Sequence, residues 1–432
     1  MKLDHTLPFD SGEAEAFLAA LPREPAVFAL WPHLDPAPGT QPYLSRTRNL
    51  RHRLERLLAS PRPGLRRLNL HEFTRRVDYQ PVGSSFEAAW LIYQLNRTHY
   101  PRVYRQRLRL KPPALLKVNL ANRFPRCYAT RRLTRDGSLY YGPFPSRTEA
   151  ERFAGEFLDF FKIRRCVEDL DPNPSHPGCI YSQMRMCLAP CFAGCTDSEY
   201  QQELGRAVRF LDTQGSSLVR QFEAERERAS DSLDFEQAAR LHQRLEKLND
   251  ALRRRPDLAK NVADLHAIIL ERGAHPKSVV LFRLWAGELL GPATLSLDER
   301  VASPASLDQQ LQTLVDSLRP RAESGERPYA NTDVPTAGET QVEVTHPPES
   351  AEAAELTATN RQPTLSPASR PLPPWEHLTI LARWYYSSFR EGEFVMLNRA
   401  EEIPHARLIR SCRKLTTERA GFSTQPKNGT SN

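Results

Sequence analysis

The stretch that decides the reading runs from Cys166 to Cys195: Cys166-Val-Glu-Asp-Leu170, then Cys179-Ile-Tyr-Ser-Gln-Met-Arg-Met-Cys187-Leu-Ala-Pro-Cys191-Phe-Ala-Gly-Cys195. Five of the chain's seven cysteines fall here, and the first four are spaced C-x12-C-x7-C-x3-C. Thiolates are soft ligands that suit zinc, copper(I) or iron–sulfur clusters. Zinc knuckles use paired short spacings. Only one short pair is present, so the spread fits a four-cysteine cluster better. The competing reading is a set of ordinary buried thiols, because free cysteine packs as a small apolar residue. Cys195 is an extra candidate that can replace one of the four.

Outward from this stretch, the surroundings become specific. Tyr140-Tyr-Gly-Pro-Phe-Pro-Ser146, Arg164-Arg-Cys166 and Cys187-Leu-Ala-Pro-Cys191 together resemble the middle of the UvrC excinuclease family, the nuclease component of bacterial nucleotide-excision repair. The resemblance implies an iron–sulfur cluster, of the 4Fe–4S type, on Cys166, Cys179, Cys187 and Cys191, with zinc as the alternative.

Upstream, Ala26–Trp31 and Pro42–Ser45 read as a strand hairpin, preceded by a helical pattern over 11–21. A helix over 49–59 follows, with Leu50, Leu54, Leu57 and Leu58 on one face. This unit resembles the GIY-YIG nuclease domain that opens UvrC proteins. Pro25-Ala-Val-Phe28 matches one family strand and Tyr43-Leu-Ser-Arg46 the other, with Asn49-Leu50 and Arg53 in step behind them. Glu87 to Arg102 follows the next family segment without a gap. The resemblance makes Tyr43, Arg46 and Arg53 remnants of the catalytic set. Two departures weigh against catalysis. Phe28 stands where the family has a tyrosine that helps deprotonate the attacking water, and Ile92 stands where a glutamate holds the divalent metal. Isoleucine offers no oxygen ligand to a hard cation. Glu87, five residues earlier, points about 140° away on a helix. A divalent metal at this centre is therefore not expected.

Charge is one-sided here. Ten arginines lie between Gln41 and Arg76, opposed only by Glu55 and Glu72, and six more cations without an acid follow from Arg97 to Lys111. With a net charge of +8 over 432 residues, such a block self-repels unless a polyanion is near. Arg48, Arg51, Arg56, Arg66, Arg67 and Arg102 are the candidate DNA contacts, against the alternative of a solvated face.

Downstream, strands are expected over 115–120 and 124–130. Ser146-Arg-Thr-Glu149 is a capping box for a helix whose Ala150, Phe153, Ala154, Phe157, Leu158 and Phe161 form a buried stripe. Two helical patterns, 199–229 and 234–253, join at Ser232–Glu236. The run Leu233-Asp-Phe235-Glu236-Gln-Ala238-Ala239 resembles the UVR motif of the family, which implies binding to the helicase UvrB, or another UVR-motif protein, through Leu233, Phe235, Glu236, Ala238 and Ala239. Three alternating strands over 264–297 resemble the lead-in to the family's second nuclease domain, and a helix spans 306–318. Residues 321–374, rich in Pro, Ser, Thr, Glu and Ala, read as a disordered linker. Trp375–Arg390 reads as a helix, and the chain from 415 as a polar tail. The space after residue 320 is too small for the family's RNase H-like and helix–hairpin–helix domains, so these are expected to be absent.

The expected fold class is α+β: a degenerate GIY-YIG-like mixed-sheet domain (22–105), linker strands with the cysteine-rich region (106–200), a UVR helical hairpin (201–256), a small β-rich segment (257–320), the linker (321–374), a C-terminal helical segment (375–414) and a tail (415–432). No signal peptide or membrane span is expected, and an odd cysteine count without secretion signals argues for a reducing cytoplasm. The expected function is DNA and UvrB-partner binding without cutting. The alternative is a divergent repair endonuclease using another carboxylate.

Overall fold

The computed structural model describes residues 2–60, 68–298, 306–318, 373–397 and 403–417. Residues 321–372 of the expected linker, most of the tail, and Arg66 and Arg67 lie outside these residues. The α+β class holds, with small sheets that are each covered by helices.

The N-terminal unit runs β1 (His5–Pro8), α1 (Ala14–Ala20), β2 (Ala26–Trp31), β3 (Tyr43–Thr47), α2 (Leu50–Leu58), β4 (Arg76–Pro81), α3 (Ser85–His99) and a short α4 (Tyr104–Arg107). Its sheet order is β1-β4-β2-β3, and every pairing is antiparallel, where a mixed sheet was expected. β1 and β2 run the same way on either side of β4, and β3 and β4 run the same way on either side of β2, so each like-directed pair is separated by an antiparallel strand and no parallel ladder forms. Pleat alternation gives the two faces different loads. Ala26, Phe28 and Leu30 pack under α1 and α2, while Val27, Ala29 and Leu44 pack under α3.

The middle unit comprises β5 (Ala114–Val118), β6 (Cys127–Thr130), β7 (Leu139–Phe144), α5 (Arg147–Leu158), α6 (Ile180–Gln183), α7 (Asp197–Asp212), α8 (Ser216–Asp231), α9 (Phe235–Arg253) and β8 (Lys260–Asn261), with sheet order β6-β5-β7-β8. Ser146 caps α5 by accepting the Glu149 amide at 3.1 Å, and the expected phenylalanine stripe is buried. The helix expected over 199–229 is broken at Thr213–Gly215. Gly215 sits at φ +96, and a Cβ there would come within 2.3 Å of Leu252 on α9. Only glycine allows both this backbone and this approach.

The C-terminal unit joins segments that the sequence suggested were separate. β9 (Ala267–Arg272), β10 (Ser278–Trp285) and β11 (Glu288–Ser296) form a meander, followed by α10 (Leu307–Ser317) and α11 (Trp375–Tyr385). The stretch expected to be only helical then supplies β12 (Glu393–Met396), which pairs antiparallel with β9, before α12 (His405–Thr417) closes the fold. Four residues with Glu393 at one end are too short a strand signal to read locally. Pairing with the buried Ile268–Leu270 makes the strand.

Helix α3 ties the units together. Ala88, Leu91 and Leu95 face the N-terminal sheet, whereas Phe86, Trp90 and Tyr93 enter a second core with Phe282, Leu378 and Trp384. Trp90 Nε1 donates to the Gly291 carbonyl at 2.8 Å. At the same junction, a Cβ on Gly83 would lie 2.2 Å from the Arg272 carbonyl oxygen, so the two backbones touch.

Two carboxyls are trapped near this seam. Burial raises Glu87 to about 7 despite an amide hydrogen bond from Gly83 at 2.9 Å. Burial likewise raises Glu271 to about 8, with Glu391 and Glu87 adding like charge against Trp384 and Ser84. The folded chain thus holds protons that the unfolded chain releases above its ordinary carboxylate value. Stability is expected to fall as pH rises from about 5 to about 8, by up to about 1.4 kcal/mol per pH unit per group. Urea midpoints across this range should show the decline, and Glu271→Gln should flatten it. A wild-type curve that rises with pH would contradict the assignment.

Candidate functional site

The residues expected to be remnants of a nuclease centre are split by the sheet that carries them. Phe28, fully buried, and Tyr43 lie on the α1/α2 side, with ring centroids 6.3 Å apart. Arg53 on α2 donates to Tyr43 Oη at 3.2 Å. Arg46 pairs across the strands with Val27, hence on the α3 side, and lines a cleft together with Ile92. Tyr43 with Arg53 and Arg46 with Ile92 are therefore two separate pairs around the edge strand β3. Phe28 is locked in the core, with no hydroxyl to deprotonate water. Glu87 does not line the cleft; its carboxylate is turned back to the Gly83 amide.

The cleft has a volume of about 660 Å³ and is walled by β3, α3, the chain after α4, and α11. Arg46, Arg107 and Arg383 line it, and among the described residues no aspartate or glutamate does. Of the other basic candidates, Arg48, Arg56 and Arg102 are exposed. Arg51 is partly committed, since its Nε donates to the Leu21 carbonyl at 2.7 Å and so caps α1. Sequence reasoning passed over Arg107 and Arg383. Arg107 was visible only as one member of a charge run, and Arg383 lies far away in sequence and reaches the cleft because α11 packs there.

The cysteines are gathered in the lobe between α5 and α7. Cys187 and Cys191 are buried, while Cys166 and Cys179 are half-buried. Burial raises the Cys187 thiol, and the nearby Cys179, Cys191 and Cys166 raise it further, while the Ala189 amide works against them. Burial also raises Cys166, with Arg164 opposing and Cys179 and Cys191 adding. The four thiols are thus within electrostatic reach of one another. Ala189 and Ala193, on either side of Cys191, both sit at φ +57, a left-handed geometry that costs alanine about 1–2 kcal/mol. Cys195 is pushed up to about 11 by burial, then by Glu199, an environment poor for a thiolate ligand. The donor chemistry suits a soft metal or cluster. In this geometry, however, no three His, Cys, Asp or Glu side chains among the described residues converge into a group able to hold a metal ion.

The α8–α9 hairpin presents an apolar tip. Leu233 is 71% exposed and Phe235 67%. Ala239 and Glu236 are exposed, and Ala238 is half-buried against the core. Asp234 caps α9 by accepting the Gln237 amide at 3.0 Å. Leu233 closes α8 in the left-handed region, at φ +61, with the next amide bonded to the Ala229 carbonyl at 2.8 Å. Glycine is the relaxed residue for this position, so a leucine held there with its side chain in solvent is costly for the free chain. Leu233→Gly should raise stability by up to about 1 kcal/mol, read as a higher urea midpoint. A lower midpoint would mean that Leu233 packs internally.

Comparison with known proteins agrees with this layout. Residues 114–210 match the family described as UvrC/Cho excinuclease, middle domain, and residues 216–251 match the UvrB/uvrC motif. UvrABC system protein C of Moorella thermoacetica is 28% identical over 283 residues, covering 65% of this chain and 44% of that protein. The protein of the same name from Syntrophus aciditrophicus is 25% identical over 285 residues, 66% of this chain and 45% of that one. That of Trichlorobacter lovleyi is 30% identical over 240 residues, 54% and 38% respectively. The chain spans less than half the length of these curated relatives. No solved structure matches it. Among the described residues, no helix is long and apolar enough to cross a membrane.

Proposed function

Since this chain is a relative of the UvrC proteins that carries their middle domain and UVR motif, we propose that it acts in nucleotide-excision repair as a binding module. It engages DNA through its basic N-terminal unit and a UvrB-type partner through the hairpin tip, and its GIY-YIG-like centre does not cut. The observation that carries the partner reading is the exposed pair Leu233 and Phe235 on a hairpin that is otherwise well packed. An apolar edge of this kind suits pairing with a second helical hairpin.

The non-cutting reading rests on Ile92 facing Arg46 where a metal-holding carboxylate is needed, and on the burial of Phe28. Arg46 and Arg53 remain able to hold a phosphate oxygen. We further propose that Cys166, Cys179, Cys187 and Cys191 close on an iron–sulfur cluster or a zinc ion. The gathering of the four thiols in one lobe and the strained alanines flanking Cys191 support this; the thiols do not converge in this geometry, so binding would have to draw them together. Bound there, the group would cross-link the loop between α5 and α7, because ligation energy becomes folding energy.

Burying one phenylalanine contributes about 2–3 kcal/mol, so Phe235→Ala should weaken binding to the C-terminal hairpin of UvrB by roughly 30- to 150-fold. Calorimetric titration of the full chain checks this, and an unchanged affinity would make the tip merely structural. Incubation with damaged duplex and magnesium or manganese, with and without UvrB, should give no nicks. Nicking lost on Arg53→Ala would instead favour a divergent nuclease. Anaerobically purified protein should carry stoichiometric iron or zinc and lose both the metal and thermal stability on Cys187→Ser. A stable, metal-free wild type would exclude the cysteine proposal.

A further inference from the structure

Within the DNA-binding reading proposed above, the cleft beside Ile92 has features that a relic nuclease centre does not need. Two of its three arginines come from outside the nuclease-like strands and helices that face it. Arg107 ends α4, and Arg383 is delivered by α11 from more than 270 positions further along the chain. Arg46, Arg107 and Arg383 are exposed residues, with Arg383 partly desolvated, and among the described residues none is paired to a carboxylate. Arg46 reaches the Ser85 carbonyl at 3.5 Å. Arg107 donates to Asn96 Oδ1 at 3.0 Å and lies over the Tyr100 ring. Arg383 donates to the Leu108 and Arg109 carbonyls. These contacts fix the direction of the cations without neutralising them. Burial, and then the neighbouring charge of Arg46, hold the Arg383 guanidinium below its ordinary value. An anion placed between the two relieves that repulsion.

The floor is apolar, with Ile92 and Ala89, and the rim carries Phe389, which is 88% exposed. A ring so open to water has no packing role in the chain itself. A base stacked on an aromatic face is a sequence-tolerant contact that only an unpaired nucleotide can make, because a paired base has its faces covered by its neighbours. A cleft of about 660 Å³ has room for a nucleotide.

We propose that this cleft is a metal-independent site for one unpaired nucleotide of a DNA strand, with its phosphate between Arg46, Arg107 and Arg383 and its base on Phe389. Loss of the metal-holding carboxylate at position 92 then has a positive consequence. A glutamate there would repel the phosphate unless a divalent cation lay between, whereas isoleucine leaves the arginine cluster free to take it directly. The C-terminal helix α11 converts a former cutting edge into a clamp for strand that has been opened.

The test uses the full chain, a labelled 12-nucleotide single strand and the matching fully paired duplex, with fluorescence anisotropy in EDTA. The single strand should bind equally well with EDTA or magnesium. Phe389→Ala, at a position too exposed to affect folding, should weaken single-strand binding by roughly 5- to 150-fold and duplex binding by less than about twofold. Phe389→Trp should restore it. Arg383→Ala should weaken the single strand and reduce the slope of log affinity against log salt by about one, and Arg383→Lys should recover the slope. Wild-type affinity in both alanine variants, with both DNAs bound, overturns the cleft assignment and leaves the broader DNA-binding reading in place. Loss of single-strand binding in EDTA overturns the metal independence. Failure of the wild type to bind either DNA removes both.

Discussion

The structure depends on the burial of α3 on two opposite faces at once. A surface helix hides one stripe, but α3 has apolar residues all round. Ala88, Leu91 and Leu95 fill the N-terminal sheet, while Phe86, Trp90 and Tyr93 enter the core under β9, β10 and α11. Each large side chain buried there contributes about 1.5–3 kcal/mol, so the helix holds two sheets as if they were one domain. The close backbone approach at Gly83 and the Trp90 hydrogen bond to Gly291 fix the angle at which they meet.

That constraint decides the chemistry on both sides. With α3 clamped, position 92 is directed at the β3 edge and position 87 toward the β4–α3 turn. Glu87 serves the Gly83 amide and does not line the cleft that Arg46 shares with Ile92. The same clamp brings α11 beside α3 and so carries Arg383 to Arg46. The small N-terminal sheet is thereby supplied with a cationic groove from a distant part of the chain, and with seam carboxyls whose proton affinity is raised by burial.

The hairpin obeys a separate logic. α8 and α9 bury Leu218, Phe222, Leu241, Leu245 and Leu248 in the middle core, which anchors their base and leaves the tip free. Strain at Leu233 and exposure at Phe235 are costs borne by the isolated chain. They make physical sense if another surface covers them.

Much of this was legible in the sequence because its causes are local. The Ser146 capping box, the phenylalanine stripe of α5, the β2–β3 hairpin, the α8–α9 turn and the exposure of Leu233 and Phe235 follow from spacing and capping within a few residues. So does the direction of Glu87 away from position 92, which needs only the 100° step of a helix. What the sequence could not determine rests on contacts between distant residues. The break at Gly215 is required by Leu252 on another helix. Strand β12 exists because β9 offers it a free edge across a long intervening segment. The separation of Tyr43 from Arg46 depends on which sheet face each helix covers. The arginine cleft depends on α11 docking against α3, an interaction driven by buried aromatic area that carries no local pattern.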